Sequence, residues 1–181
     1  PISNGPTSFC FGDSVTLSAN PNARTYNWSW STGTSTSGSV VAKATGWYHV
    51  RITAPPIGCA NEDSIFVNVW ALPTVNAWPA DKITQDRDTI NKGESIQLHA
   101  SGGVNYSWNP TTYLDNGGNG ADPIAERMEA TTTYIVTVTD VNGCVNSDTL
   151  TIVVLENFKL DVYNVVTPNG DGYNDRWYIG N

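Results

Sequence analysis

Apolar and polar residues alternate along this chain in short runs. Val15, Leu17 and Ala19 fall on one side of such a run, and Ser14, Thr16 and Ser18 on the other. Ile96, Leu98 and Ala100 repeat the arrangement, Tyr134, Val136 and Val138 make a third apolar row, and Leu150, Ile152 and Val154 a fourth. A period of two is that of a β-strand with one buried face, since successive side chains point to opposite sides of the sheet. Asp140-Val141-Asn142-Gly143 separates the last two rows and has the composition of a hairpin turn. The pattern predicts an all-β chain.

The runs also recur in order. Cys10-Phe11-Gly12-Asp13-Ser14-Val15-Thr16-Leu17-Ser18-Ala19 aligns with Asn91-Lys92-Gly93-Glu94-Ser95-Ile96-Gln97-Leu98-His99-Ala100. Tyr26-Asn27-Trp28 answers Tyr106-Ser107-Trp108, Tyr48-His49-Val50 answers Tyr134-Ile135-Val136, and Gly58-Cys59-Ala60-Asn61 answers Gly143-Cys144-Val145-Asn146. Asp63 to Val69 matches Asp148 to Val154. A repeat locates domains better than local propensity does. Short strands, a Trp on an early strand and a Tyr opening a late one describe an immunoglobulin-like sandwich. Two tandem sandwiches are expected, at about 1–72 and 73–156, with a different segment at 157–181.

Composition narrows the function. The 181 residues carry a formal net charge of −8, and the nine Lys and Arg are scattered. Binding to phosphate backbones or anionic lipid needs clustered cations, so no nucleic-acid partner is expected. No run approaches the roughly 18 apolar residues of a membrane-spanning helix. The sequence opens on Pro1 and reads as a segment of something longer. Three cysteines allow three single pairings. Cys10 and Cys59 share one repeat, whereas Asn91 replaces the Cys10 equivalent in the other, so a Cys10–Cys59 disulfide with Cys144 free is expected. Closing a loop of about 50 residues would stabilise by roughly 4 kcal/mol in the chain-entropy model and would imply an oxidising compartment. Three reduced thiols are the alternative.

The Cys10-to-Val15 block, Tyr26-Asn27-Trp28, Tyr134 to Asp140, and Asn142-Gly143-Cys144 followed by Ser147-Asp148-Thr149 resemble the PKD-like and Ig-like modules of large secreted Bacteroidetes proteins. After Leu155 the repeat stops. An apolar strand, Phe158 to Val166, leads into Thr167-Pro168-Asn169-Gly170-Asp171-Gly172-Tyr173-Asn174-Asp175 and then Arg176-Trp177-Tyr178-Ile179. Pro fixes φ, two glycines admit positive φ, and Asn and Asp bond nearby backbone, so this is a tight turn between strands. It resembles the opening of the gliding-motility-associated, type B C-terminal domain of type IX secretion, in which Thr167, Pro168, Asn169, Gly170, Asp171, Gly172, Asn174 and Asp175 are the marked positions. The resemblance implies the first strands of a C-terminal β-sandwich export domain, passage through the type IX translocon, and anchoring by an outer-membrane barrel of the SprF/PorP type. Large gliding adhesins of the SprB type have this layout.

Other chemistry is sparse. Asn169, Asp171 and Asp175 offer oxygen ligands in the manner of a calcium loop, but Tyr173, Asn174 and Gly180 break the EF-hand pattern, which favours a structural turn; no cofactor is expected. His49 and His99 lie opposite the apolar rows, and neither has a nucleophile in a recognisable setting. Asp13, Asp63, Asp88 and Asp148 each precede Ser or Thr, a triplet resembling the O-glycosylation motif of exported Bacteroidetes proteins, which would put sugars on Ser14, Ser64, Thr89 and Thr149. Turn chemistry explains the same triplets equally well. Trp28 and Trp108 read as core, while Trp70 and Trp78 flank the link between repeats and are expected to pack there.

These readings converge on a non-catalytic stalk with an export and anchoring tail, belonging to a surface adhesin whose polysaccharide or other target is met by the region upstream. An accessory region of a secreted polysaccharide-degrading enzyme and a carbohydrate-binding module are the alternatives.

Overall fold

The computed structural model describes residues 1–19, 25–54, 59–80 and 86–156; the motif from Thr167 to Asp175, with its calcium candidates, lies outside them. The chain is all-β and forms immunoglobulin-like sandwiches. Repeat 1 contains β1 (Ile2–Ser3), β2 (Ser8–Cys10), β3 (Val15–Ser18), β4 (Thr25–Trp30), β5 (Gly33–Ser35), β6 (Ser39–Ala42), β7 (Gly46–Ala54) and β8 (Cys59–Trp70). Repeat 2 contains β9 (Asn76–Pro79), β10 (Arg87–Asn91), β11 (Ile96–Ser101), β12 (Asn105–Asn109), β13 (Ile124–Ala125), β14 (Thr132–Thr139) and β15 (Val145–Leu155).

The sheet orders show the same fold twice. In repeat 1 a three-stranded sheet β1-β3-β6 faces a five-stranded sheet β2-β8-β7-β4-β5; in repeat 2 β13-β11-β9 faces β10-β15-β14-β12. Each repeat begins in one sheet and switches to the other, where β2 and β10 run parallel to the last strands, β8 and β15. That switch is not visible in the alternation, because parallel and antiparallel strands share the period of two.

Two cores result. Trp28, Leu17, Tyr48, Val50 and Val67 centre the first, and Trp108, Leu98, Tyr134, Val136, Leu150 and Ile152 the second. Trp28 and Trp108 are 0% and 1% exposed. A buried indole N–H needs an acceptor; Trp28 donates to the Ser37 carbonyl and Trp108 to the Gly120 carbonyl, both at 3.0 Å. The tyrosine hydroxyls donate to backbone as well, Tyr48 to Ala44 at 3.2 Å and Tyr134 to Thr112 at 3.0 Å.

Candidate functional site: the junction between repeats

The disulfide joins Cys10 to Cys144, with Cα atoms 5.5 Å apart, and Cys59 is the free, exposed thiol. The expected Cys10–Cys59 bond is therefore wrong, and the reason is geometric. Cys10 pairs with Trp70 at the end of β8, whereas Cys59 starts the same 12-residue strand. At about 3.3 Å per residue the two lie roughly 36 Å apart, far beyond the 7 Å or so that a disulfide spans between Cα atoms. Each repeat thus has an entry end, carrying the hairpin before its last strand, and an exit end, carrying the turn after its parallel strand. Cys10 is at the exit end of repeat 1 and Cys144 at the entry end of repeat 2. Those ends meet where the chain crosses between repeats, so the bond is an inter-repeat staple.

Local chemistry presents each sulfur. Beyond Cys10 the Phe11 N–H donates to Trp70 O (2.7 Å) and the Asp13 N–H closes a turn on Cys10 O (3.1 Å), with Gly12 at φ 105°, a left-handed conformation that an L side chain rarely takes. In the β14–β15 hairpin the Asp140 carboxylate accepts from the N–H groups of both Asn142 and Cys144 at 2.8 Å. The Asp140 N–H donates to Cys144 O at 2.9 Å, which fixes the direction of the buried Cys144 side chain.

Residues 71–75 are held by the same hairpin. The Asn146 side-chain amide donates to Pro73 O (3.0 Å), and Asp148 accepts from the Ala77 N–H (2.8 Å). Asn146 and Asp148 are two apart on β15 and so share a face. Gly102, at φ 118°, lets the Thr74 backbone approach so closely that a Cβ there would collide with it. Cys144, Asn146 and Asp148 together seize the incoming chain and the repeat before it. Nothing in the alternation of either strand distinguished this role; the repeat-equivalent positions Cys59, Asn61 and Asp63 were the available signal.

Other candidate residues are placed as follows. Ser14, Ser64, Thr89 and Thr149 are all exposed. Three of the preceding carboxylates, Asp63, Asp88 and Asp148, accept from the very next N–H at 2.7–2.8 Å, the turn chemistry that competes with the modification reading. Trp78 stacks on His99 within its own sheet, centroids 5.9 Å apart, because β9 and β11 pair Trp78 directly with His99. His99 in turn meets Asp122 at 2.6 Å.

A second surface lies on the outer face of the five-stranded sheet. Trp47 and Phe66 are exposed and pack edge to face at 5.3 Å, and His49 stacks beside Trp47 at 6.4 Å. Next to them is an open groove of about 560 Å³ whose lining includes Asn27, Ser29, Thr34, Arg51, Glu62 and Ser64. At the corresponding place repeat 2 has the cross-strand pair Thr133 and Thr151, their hydroxyls 2.9 Å apart, so the fold does not require aromatic residues there.

No family model and no curated protein sequence matches the chain. Among solved structures it is similar to the three N-terminal domains of the bacteriophage RB49 highly immunogenic outer capsid protein (19% identity, TM-score 0.41, 82% of this chain and 56% of that one). It is also similar to the insect immune protein hemolin (12%, 0.41, 83% and 44%) and to fibronectin(III)-like modules of Clostridium thermocellum CbhA (12%, 0.35, 86% and 94%). The chain spans about half the length of the first two.

Proposed function

We propose that this chain is a non-catalytic stalk of a cell-surface adhesin, ending in an export and anchoring segment of the type IX kind. The observation that carries the stalk reading is the Cys10–Cys144 staple: a covalent bond across a module junction holds consecutive modules in one orientation and resists their separation. The resemblance of Thr167 to Asp175 to the type B domain supports export through the type IX translocon and retention by a SprF/PorP-like barrel. A bond of this kind suits an oxidising, extracytoplasmic compartment. The test of delivery is deletion of residues 157–181 together with whatever follows them in the native host. Surface exposure, read as cleavage by protease added to intact cells, is expected to vanish while the protein accumulates inside; undiminished exposure sinks the export reading.

The outer face of repeat 1 favours a second reading, a carbohydrate-binding module. A flat indole beside hydroxyl and amide groups matches a sugar ring, which has one C–H face and a polar rim. Affinity electrophoresis against a panel of polysaccharides should show retardation that Trp47→Ala abolishes. Equal mobility of both proteins on every polysaccharide removes this reading.

A further inference from the structure

We propose that Cys59 is the site of a second inter-repeat disulfide, formed with a cysteine at the exit-end turn of another repeat of this kind seated against the entry end of repeat 1. The inference rests on the stalk reading and extends it from one junction to a series.

The second repeat supplies the comparison. There, three entry-end residues hold what precedes them: Cys144 is bonded to Cys10, Asn146 binds Pro73 O, and Asp148 binds the Ala77 N–H. All three have counterparts in repeat 1 at the same positions of its last strand, namely Cys59, Asn61 and Asp63. One of those counterparts is already in the corresponding place, since Asp63 lies beside Pro1 as Asp148 lies beside Ala77. The strand registers agree. Ser3 pairs with Leu17 in repeat 1 and Pro79 with Leu98 in repeat 2, which makes Pro1 the equivalent of Ala77. An exposed thiol completes the set, standing where repeat 2 has a buried, bonded half-cystine.

The partner's chemistry follows from Cys10. It is a cysteine two residues before a glycine that takes positive φ, ending a strand that pairs in parallel with the last strand of its own repeat. Within this chain the other exit-end turn carries Asn91, capped by Glu94 through bonds to the Asn91 backbone and side chain at 2.8 and 3.1 Å. It has no sulfur to offer. Bond formation removes two protons and two electrons from the two thiols. A protein or low-molecular-weight disulfide accepts the electrons through a mixed disulfide and leaves as two thiols.

Two arms test this. In the first, an additional copy of residues 1–76 is placed directly before Pro1 of the full chain, the spacing by which Ala77 follows repeat 1, and the folded protein is oxidised with oxidised glutathione. The expected result is one alkylatable thiol where three would otherwise remain, and a Cys59 peptide cross-linked to the added copy's Cys10 peptide in a non-reducing digest. In the second, the parent protein is alkylated and digested in the same way directly from its native cells, and Cys59 is expected joined to a Cys-x-Gly peptide. Alkylated Cys59, or Cys59 joined to glutathione or to any other cysteine, overturns the inference. The Cys10–Cys144 cross-link in the same digests separates the two levels: its loss sinks the staple itself, whereas its presence beside a free Cys59 sinks only this extension.

Discussion

At the scale of single residues, the paired Trp and Tyr anchors are where alternation and structure agree most closely. Each is enclosed, and each polar tip finds a backbone acceptor. Burial of the Tyr134 ring pushes its pKa up to about 12, from an ordinary value near 10. The fold therefore keeps this proton more tightly than the unfolded chain does. Tyr134 contributes its full stabilisation below pH 10, and the contribution is lost as pH rises from about 10 to about 12. Tyr134→Phe removes the hydroxyl bond to Thr112 at a cost of about 1 kcal/mol at pH 8. The gap between wild type and variant should close by about pH 11 and change sign toward pH 12. Urea-unfolding midpoints of both proteins across this range are the check; a constant gap contradicts the assignment.

At the scale of elements, the β14–β15 hairpin matters more than its ordinary turn sequence suggested. Asp140-Val141-Asn142-Gly143 reads correctly as a turn, but the reason for an aspartate there appears only with the bonds drawn. One carboxylate oxygen serves two N–H groups, one of them on the half-cystine. Asp140→Ala is expected to cost about 1–3 kcal/mol, and to speed reduction of the Cys10–Cys144 bond by dithiothreitol, because the loop then opens more often. Asp140→Asn keeps the acceptor and should restore most of both properties. Reduction followed by mass spectrometry measures the rate, and equal rates in all three proteins would show that the hairpin does not shield the bond. The fold's strands and cores were legible from rows such as Tyr134, Val136 and Val138, since periodicity reports burial directly. The parallel pairing of β2 with β8 was not legible, because register between distant strands leaves no local trace.

At the scale of the molecule, the staple changes what force can do. A bond between residues 134 apart in sequence keeps the enclosed chain out of reach of a pull applied at the ends, even after both sandwiches unfold. In single-molecule extension, fully unfolding the oxidised chain should release roughly 450 Å less contour than unfolding the reduced chain, at about 3.4 Å for each enclosed residue. Cys144→Ser should behave as the reduced protein does with or without reductant. Equal extension of oxidised and reduced wild type would contradict the staple. In the chain-entropy model a loop of this length stabilises by about 5 kcal/mol. Because the loop draws residues from two separate cores, that effect bears on how the repeats stay together as well as on how either one folds.

Sequence alone determined the all-β character, the duplication, the inward Trp28 and Trp108, and the change of pattern after Leu155. Each is written in spacing, and spacing follows from which side of a strand is dry. Which cysteines bond was decided only by tertiary structure. Alignment of the repeats identified Cys59 and Cys144 as equivalent, and within one repeat it made Cys10 and Cys59 look like partners. It carried no information that a last strand of 12 residues holds those two positions at opposite ends of a sandwich. Once the strand has its length, a sulfur at one end can reach only the module beyond it, and the disulfide passes from the inside of a repeat to the junction between two.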